Sequence, residues 1–305
     1  MGLNIENVCK SYNGKKVLDN ISFNMDDPGV FGLLGTNGAG KTTTIRIILG
    51  ILEKDSGNVS WDKKSVTREN VNFGYLPEER GIYPKAKVGE QLIYFAELKG
   101  LSKEQAKASL DKWSKRMKIE EYLDMPAEKL SKGNQQKAQF LTCVMHDPEL
   151  MILDEPFSGM DPINTDIFKS VINELVSKGK YIIMSAHQMP TIEEFCHNII
   201  ILNKGRTVLK GNLKEIKDSY DIKKISIETS KNVDDVIKSF NLEVLKKEDN
   251  SYLVGIDNLS QSQEVLKAIS AKGIQVNKFE LVKPTLYDIF VEKVGEDKWE
   301  SLKRY

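Results

Sequence analysis

The chain has 305 residues, 40% hydrophobic and 29% charged, so it can bury a core and remain soluble. Lys and Arg number 44, as do Asp and Glu. That balance argues against a nucleic-acid protein relying on global positive charge, although it leaves room for a local basic patch. The length suits one large domain with an appendage.

Cys9, Cys143 and Cys196 are far apart and form no CxxC pair, which disfavours disulfide or zinc frameworks and reads as buried thiols. No apolar run approaches the roughly 18 residues of a membrane helix. The opening "MGLNIENVCK" lacks an apolar signal core, and Glu6 stands where a myristoylation site wants Ser or Thr. A cytosolic protein is expected, held at a membrane only through a partner.

In chain order, "VFGLLG" (30–35), "LMILDEP" (150–156), "YIIMSA" (181–186) and "IIILN" (199–203) are strand-length apolar runs. Near-continuous apolar strands suit a sheet buried on both faces, the α/β pattern. Between about 85 and 135 the texture is helical, with "GEQLIYFAELKG", "KEQAKASLDKWSKRM" and "IEEYL" and no strand among them. That stretch is expected to be a helical subdomain inserted in the α/β core.

After about 220, "KISIET", "VDDVIKSF", a hairpin turning at Asp249-Asn250, "SQEVLKAISAKG" and "IQVNKFELV" run β-α-β-β-α-β, the order of a ferredoxin-like unit. A last helix, "TLYDIFVEKVG", follows Pro284 with Thr285 as its N-cap. The expected division is 1–218 for the first domain and 219–305 for a small α+β domain.

"GTNGAGKT", Gly35 to Thr42, fits G-x-x-x-x-G-K-[ST] between an apolar strand and a helical run. Gly35, Gly38 and Gly40 let the backbone curl, so that N–H groups from Thr36, Asn37 and Ala39 onward to Thr43 point at phosphate oxygens. The helix N-terminus adds its positive end. Lys41 supplies charge to the outer phosphates, and the Thr42 hydroxyl suits Mg²⁺. The bland alternative, a glycine turn that binds nothing, fails to explain strand, loop, Lys-Thr and helix in register.

"LMILDEP" ends a strand in two carboxylates. Asp154 would hold Mg²⁺, and Glu155 would orient and deprotonate an attacking water. His187 ends another strand. Alone it reads as a surface or packing histidine; beside the other strand ends it becomes a γ-phosphate contact, because parallel sheets put ligands at their carboxyl ends.

These pieces, in this order, resemble the nucleotide-binding subunit of an ABC transporter over residues 1 to about 215. "LSKGN" (Leu130, Ser131, Lys132, Gly133, Asn134) resembles the family's signature loop. "SGMD" (Ser158, Gly159, Met160, Asp161) resembles its dimer-contact loop, and His187 its switch histidine. Tyr12 resembles its adenine-stacking aromatic, and "YLPEERGIYP" (75–84) its glutamine loop. The implied fold is a P-loop NTPase cassette with a mixed-sheet core, an inserted helical subdomain and the ferredoxin-like appendage.

The resemblance implies two cassettes head to tail, a homodimer or a heterodimer, with ATP and Mg²⁺ at the interface and integral membrane permease subunits as partners. Ser131 and Gly133 of one chain would close on the γ-phosphate held by the other. Location at the cytoplasmic face of the membrane follows, through the permease.

Three positions depart from the family pattern. Asn134 stands in place of a glutamine. Lys132 replaces a glycine and either adds charge near the partner's nucleotide or points to solvent. Glu78 replaces a glutamine and as a carboxylate can itself ligate Mg²⁺. These departures and the appended domain resemble the branch serving sodium, drug or peptide efflux. Two other readings are weighed. A non-transport ATPase on nucleic acid or ribosomes lacks support from any long coiled coil or second cassette. A regulator without turnover is opposed by intact Lys41, Asp154 and Glu155.

Overall fold

The computed structural model describes residues 2–67, 72–79, 81–185 and 189–294. The chain divides into two compact units, one running to Gly211 and the other beginning at Asn212, a few residues before the expected 218/219 division.

The first unit opens with β1 (Leu3–Tyr12) and β2 (Lys15–Met25), joined at Asn13-Gly14. Both turn residues have positive φ, 49° and 76°, the type I′ geometry that matches the twist of a hairpin. Then come β3 (Gly29–Gly35), α1 (Lys41–Ile48), β4 (Ser56–Trp61), the two-residue β5 (Lys64–Ser65) and β6 (Phe73–Leu76). Helices α2 (Val88–Leu98), α3 (Lys103–Met117) and α4 (Lys132–Val144) follow. They lead to β7 (Leu150–Asp154), α5 (Pro162–Ser177), β8 (Tyr181–Ser185), α6 (Met189–Phe195), β9 (Asn198–Asn203) and β10 (Arg206–Asn212).

Two sheets result, ordered β2-β1-β4-β5 and β10-β9-β3-β8-β7-β6. The first is antiparallel. In the second, β9, β3, β8, β7 and β6 are parallel neighbours. β10 returns from β9 through the two-residue turn Lys204-Gly205, a connection that only antiparallel strands can use. The sheet is therefore mixed. Strands β7 and β8 are buried along their whole length, as expected of central strands covered on both faces. α1, with Ile45, Ile47 and Ile48 buried, shares one apolar core with both sheets. Trp61 packs edge-on against Phe73 and Tyr181 there.

The helical stretch is α2, α3 and α4. Ser102 and Gln105 form a capping box at α3. "IEEYL" is a correction to the expected helix: only a 3₁₀ turn forms, Glu120–Tyr122. Lys118 in the left-handed region ends α3 just before it, leaving too few residues for a nucleated helix.

The second unit contains α7 (Leu213–Asp218), β11 (Lys224–Thr229), α8 (Asp234–Ser239), β12 (Val244–Glu248), β13 (Ser251–Gly255), α9 (Leu259–Ala271), β14 (Val276–Val282) and α10 (Leu286–Val294). Its antiparallel sheet runs β12-β13-β11-β14, the ferredoxin-like order. Ile225, Ile227, Tyr252, Val254, Val265 and Ile269 fill its core. Thr285 Oγ1 accepts from Asp288 N–H at 3.1 Å while Asp288 accepts from Thr285 N–H at 2.9 Å, a reciprocal cap for α10.

His146, after α4, is 6% exposed. Its Nε2 lies 3.3 Å from the Phe73 carbonyl, and among the described residues its Nδ1 has no hydrogen-bond partner. Burial pushes its pKa from 6.5 down to about 4. The unfolded chain therefore binds a proton that the fold refuses between those values, and stability falls as pH drops through that window. The full loss is about 3 kcal/mol. Urea unfolding from pH 7.5 to 4.5 is expected to show a shallower acid decline for His146→Gln than for wild type, with the two slopes alike above pH 7.

Candidate functional site

The parallel register builds the site. Asp154 pairs with Ser185, and Leu33 pairs with Ser185 from the other side. Side chains of in-register parallel neighbours project to one face, so the ends of β3, β7 and β8 converge. Beyond the end of β3 the chain turns through Gly38 (φ 73°) and Gly40 (φ 107°) into α1. A Cβ on Gly40 would lie 2.5 Å from Leu18 Cδ2 and 3.2 Å from the Val17 carbonyl. Glycine is required there by both backbone and space. Ala39 N–H donates to Thr36 O at 3.0 Å, and Thr44 Oγ1 to Gly40 O at 2.9 Å. The β9–β10 turn braces the loop from behind: Gly205 N–H donates to Ala39 O at 3.0 Å, and Asp19 N–H to Gly205 O at 2.7 Å.

A cavity of about 220 Å³ is lined by Val17, residues 36–43, Glu78, Asp154 and Glu155. Lys41 Nζ donates to Gly35 O at 2.7 Å. Burial pushes its pKa below the ordinary lysine value, and the negative charges of Glu155, Asp154 and Glu78 oppose that shift. A desolvated ammonium beside backbone N–H groups at a helix start is a receptor for a phosphate chain.

Asp154 is 4% and Glu155 9% exposed. Ser185 Oγ donates to Asp154 Oδ1 and accepts from Glu155 N–H at 3.2 Å. Glu155 has φ 51°, the left-handed region that a glutamate enters only at some cost and that clusters at functional sites. Tyr75, half-buried on β6, has its pKa pushed up to about 12 by burial and then by the charge of Asp154, so it stays neutral beside the carboxylates.

The oxygens of Thr42, Asp154 and Glu78 suit Mg²⁺. Among the described residues no three His, Cys, Asp or Glu side chains converge as a metal centre. This all-oxygen, incomplete donor set fits an ion that takes its remaining ligands from phosphate and water.

The signature-like loop does not reach this cavity. Ser131 is the N-cap of α4, its Oγ accepting from Asn134 N–H at 3.3 Å. Lys132 is exposed, and Gly133 is buried beside Asn164. Lys132 lies instead beside the loop Ser158 to Asp161: a Cβ on Gly159 would sit 3.7 Å from Lys132 Cβ. Asp161 caps α5, accepting from Asn164 N–H at 2.9 Å, and that hydrogen bond leads the causes that hold its carboxyl below the ordinary range.

Tyr12 stands outside the cavity lining. It closes β1 with 44% of its surface exposed, its ring 5.7 Å from Lys10 Nζ. Gly35 likewise contributes a carbonyl to Lys41 rather than a wall. His187 lies outside the described residues. Sequence reasoning missed Ser185, Val17 and Gly205. The turn dipeptide Lys204-Gly205 and the strand-end position of Ser185 were the available signals.

The family described as "ABC transporter" matches residues 18–158, and the one described as "ATP-binding protein DrrA1-3-like, C-terminal domain" matches residues 211–294. Over 294 residues the chain is 44% identical to the "Uncharacterized ABC transporter ATP-binding protein YhaQ" of Bacillus subtilis (strain 168), covering 96% of this chain and 98% of that protein. It is 31% identical over 213 residues to the "Nod factor export ATP-binding protein I" of Paraburkholderia xenovorans (strain LB400), 68% of this chain and 70% of that protein. The solved "Structure of ATP binding subunit of ABC transporter" superimposes with a TM-score of 0.66 at 31% identity, over 72% of this chain and 92% of that one.

Ser185 is fully buried, so Ser185→Ala would strip Asp154 of a buried donor. Chemical denaturation is expected to show a loss of about 1–3 kcal/mol, with Ser185→Thr restoring part of it.

Proposed function

Because the chain belongs to the ATP-binding proteins of ABC transporters, we infer that it binds and hydrolyses ATP to drive export through separate membrane subunits. The observation that carries this reading is one cavity holding a desolvated lysine, a glycine-rich loop at a helix start and three carboxylates. No described helix is long and apolar enough to cross a membrane, so the translocation path would belong to a partner.

In this reading the loop N–H groups of residues 36–43 hold the β- and γ-phosphates, and Lys41 exchanges its carbonyl contacts for the phosphate oxygens. Thr42, Asp154 and Glu78 would hold Mg²⁺, which when bound neutralises charge on those oxygens. Glu155 orients a water in line with the γ-phosphate and takes its proton. His187 is assigned a contact to the same phosphate. Tyr12, an exposed ring on the hairpin that also carries Val17, stacks on adenine.

The Ser131 hydroxyl accepts from Asn134 N–H and so keeps its own proton to donate. That supports its role, with Gly133 N–H and the positive end of α4, on the nucleotide of a second cassette. ATP would then join two chains, and hydrolysis would release them by removing contacts that only the closed state makes.

Export as the direction is supported by likeness to a Nod factor export protein and by the appended domain. Sodium, drug or peptide cargo is the class expected of that branch. Docking to the permease is assigned to α2 and the segment before it. Tyr83, Tyr94 and Leu98 are 61%, 52% and 66% exposed there, apolar side chains that a partner would cover. Cytoplasmic placement at the membrane face follows from that docking.

Glu155→Gln is expected to lower ATP turnover at least about 10²-fold while keeping ATP binding and trapping a dimer visible by light scattering. A variant that hydrolyses ATP at the wild-type rate removes Glu155 as the base. Tyr12→Ala is expected to weaken ATP about 5- to 10-fold, the size of one aromatic stacking contact, and to weaken inorganic triphosphate not at all, by calorimetry.

A further inference from the structure

Helix α4 is polar in sequence, "KGNQQKAQFLTCV", and nearly all of it is buried. A buried amide is costly unless its hydrogens find acceptors. Gln139, 2% exposed, donates from Nε2 to the carbonyls of Pro77 at 3.2 Å and Glu79 at 3.0 Å. Those two residues flank Glu78. Gln136, 7% exposed and one turn earlier, donates from Nε2 to the Pro156 carbonyl at 3.3 Å. Pro156 follows Glu155. The two loops leave the ends of adjacent parallel strands, β6 and β7. One face of α4 thus grips the backbone beside both Glu78 and Glu155. The same helix begins at Ser131, about 12 Å from Gln139 along the axis.

Gln139 does not line the phosphate cavity, so it can act on the chemistry only through the loop it holds. We propose that Gln139 is a positioning residue. By clamping the carbonyls on either side of Glu78 it aims that carboxylate at the Mg²⁺ position. With Gln136 it makes α4 a strut that carries a displacement at the Ser131 end to the carboxylates of its own chain. A residue needed only for packing would be served by an apolar side chain of equal volume; two carbonyls flanking one carboxylate need two hydrogens from one donor. The proposal rests on the cavity being the MgATP site.

The test uses the full chain and two variants. Gln139→Met keeps volume and removes the donors; Gln139→Asn withdraws them by one methylene and is the milder change should the first not fold. ATP affinity is measured by calorimetry in EDTA and in Mg²⁺. In EDTA, affinity is expected to stay within about twofold of wild type, since the phosphate loop is untouched. The Mg²⁺-dependent gain in affinity is expected to drop about 10-fold, the usual cost of losing an outer-shell partner of a metal ligand. The same measurements in a Glu78→Ala background are expected to show no additional effect of Gln139→Met.

Two outcomes overturn the proposal: an unchanged Mg²⁺ gain in a folded variant, or an undiminished effect once Glu78 is gone. A wild-type chain whose ATP affinity ignores Mg²⁺ would instead sink the ATPase reading on which the proposal stands.

Discussion

The buried hydrogen bond between Ser185 and Asp154 expresses the constraint on which the site depends. Leu33 of β3, Asp154 of β7 and Ser185 of β8 stand level and β3 runs on to Gly35, so a carboxylate, a hydroxyl and a glycine loop meet at one edge. Shifting β7 by one residue would turn Asp154 to the opposite face and bring Leu153 to the phosphate side. The full burial of β7 and β8 resists that shift only partly, because both faces of such strands are apolar. The polar pair at the strand ends therefore carries register information that the apolar run lacks. An unpaired Asp154 at 4% exposure would be costly in any other alignment.

The same edge explains the electrostatics. Lys41 is desolvated, yet three carboxylates surround the cavity that it lines. Each side alone would be unfavourable: the cation because it is buried, the anions because they repel one another. Together they leave a site that accepts a polyanion at the lysine and a hard cation at the oxygens, and that favours both over either alone. The left-handed Glu155 belongs to this arrangement. Its conformation ends β7 at Asp154, so that both carboxylates line the cavity.

Much of this was legible from sequence because local physics wrote it. The phosphate loop announces itself through glycine spacing, the central strands through apolar runs, and the second unit through alternation, with Asp249-Asn250 and Thr285 marking its turn and cap. What stayed hidden was set by distant partners. Val17 and Gly205 reach the loop through main-chain contacts across the fold, which side-chain chemistry does not advertise. The antiparallel sheet of β1, β2, β4 and β5 was not read, although Asn13-Gly14 is a hairpin signal. Register shifts within β1 blur the period-two pattern that would have exposed it. "IEEYL" has helical composition, but left-handed Lys118 cuts it from α3, and composition alone could not show that.

The stretch "LSKGNQQK" shows why a polar run can be core. Its glutamines are buried because each has a carbonyl to satisfy: Gln135 those of Ala127 and Leu130, Gln136 that of Pro156. Leucine at those places would fill the space and take these side-chain donors away from the carbonyls. The same geometry separates the two glycine positions of the family's loop, of which this chain keeps only Gly133. Position 132 is exposed, so a lysine is accommodated there with its stem beside Gly159. Position 133 is buried, and a Cβ there would stand 3.0 Å from Asn164 Nδ2. Asn164 is itself fixed by Asp161, which accepts from that Nδ2 at 2.6 Å and from Asn164 N–H at 2.9 Å. The amide cannot yield without giving up its own bond to Asp161. Glycine is thus favoured at 133 by Asn164 on α5, whereas the exposed position 132 has room for a lysine.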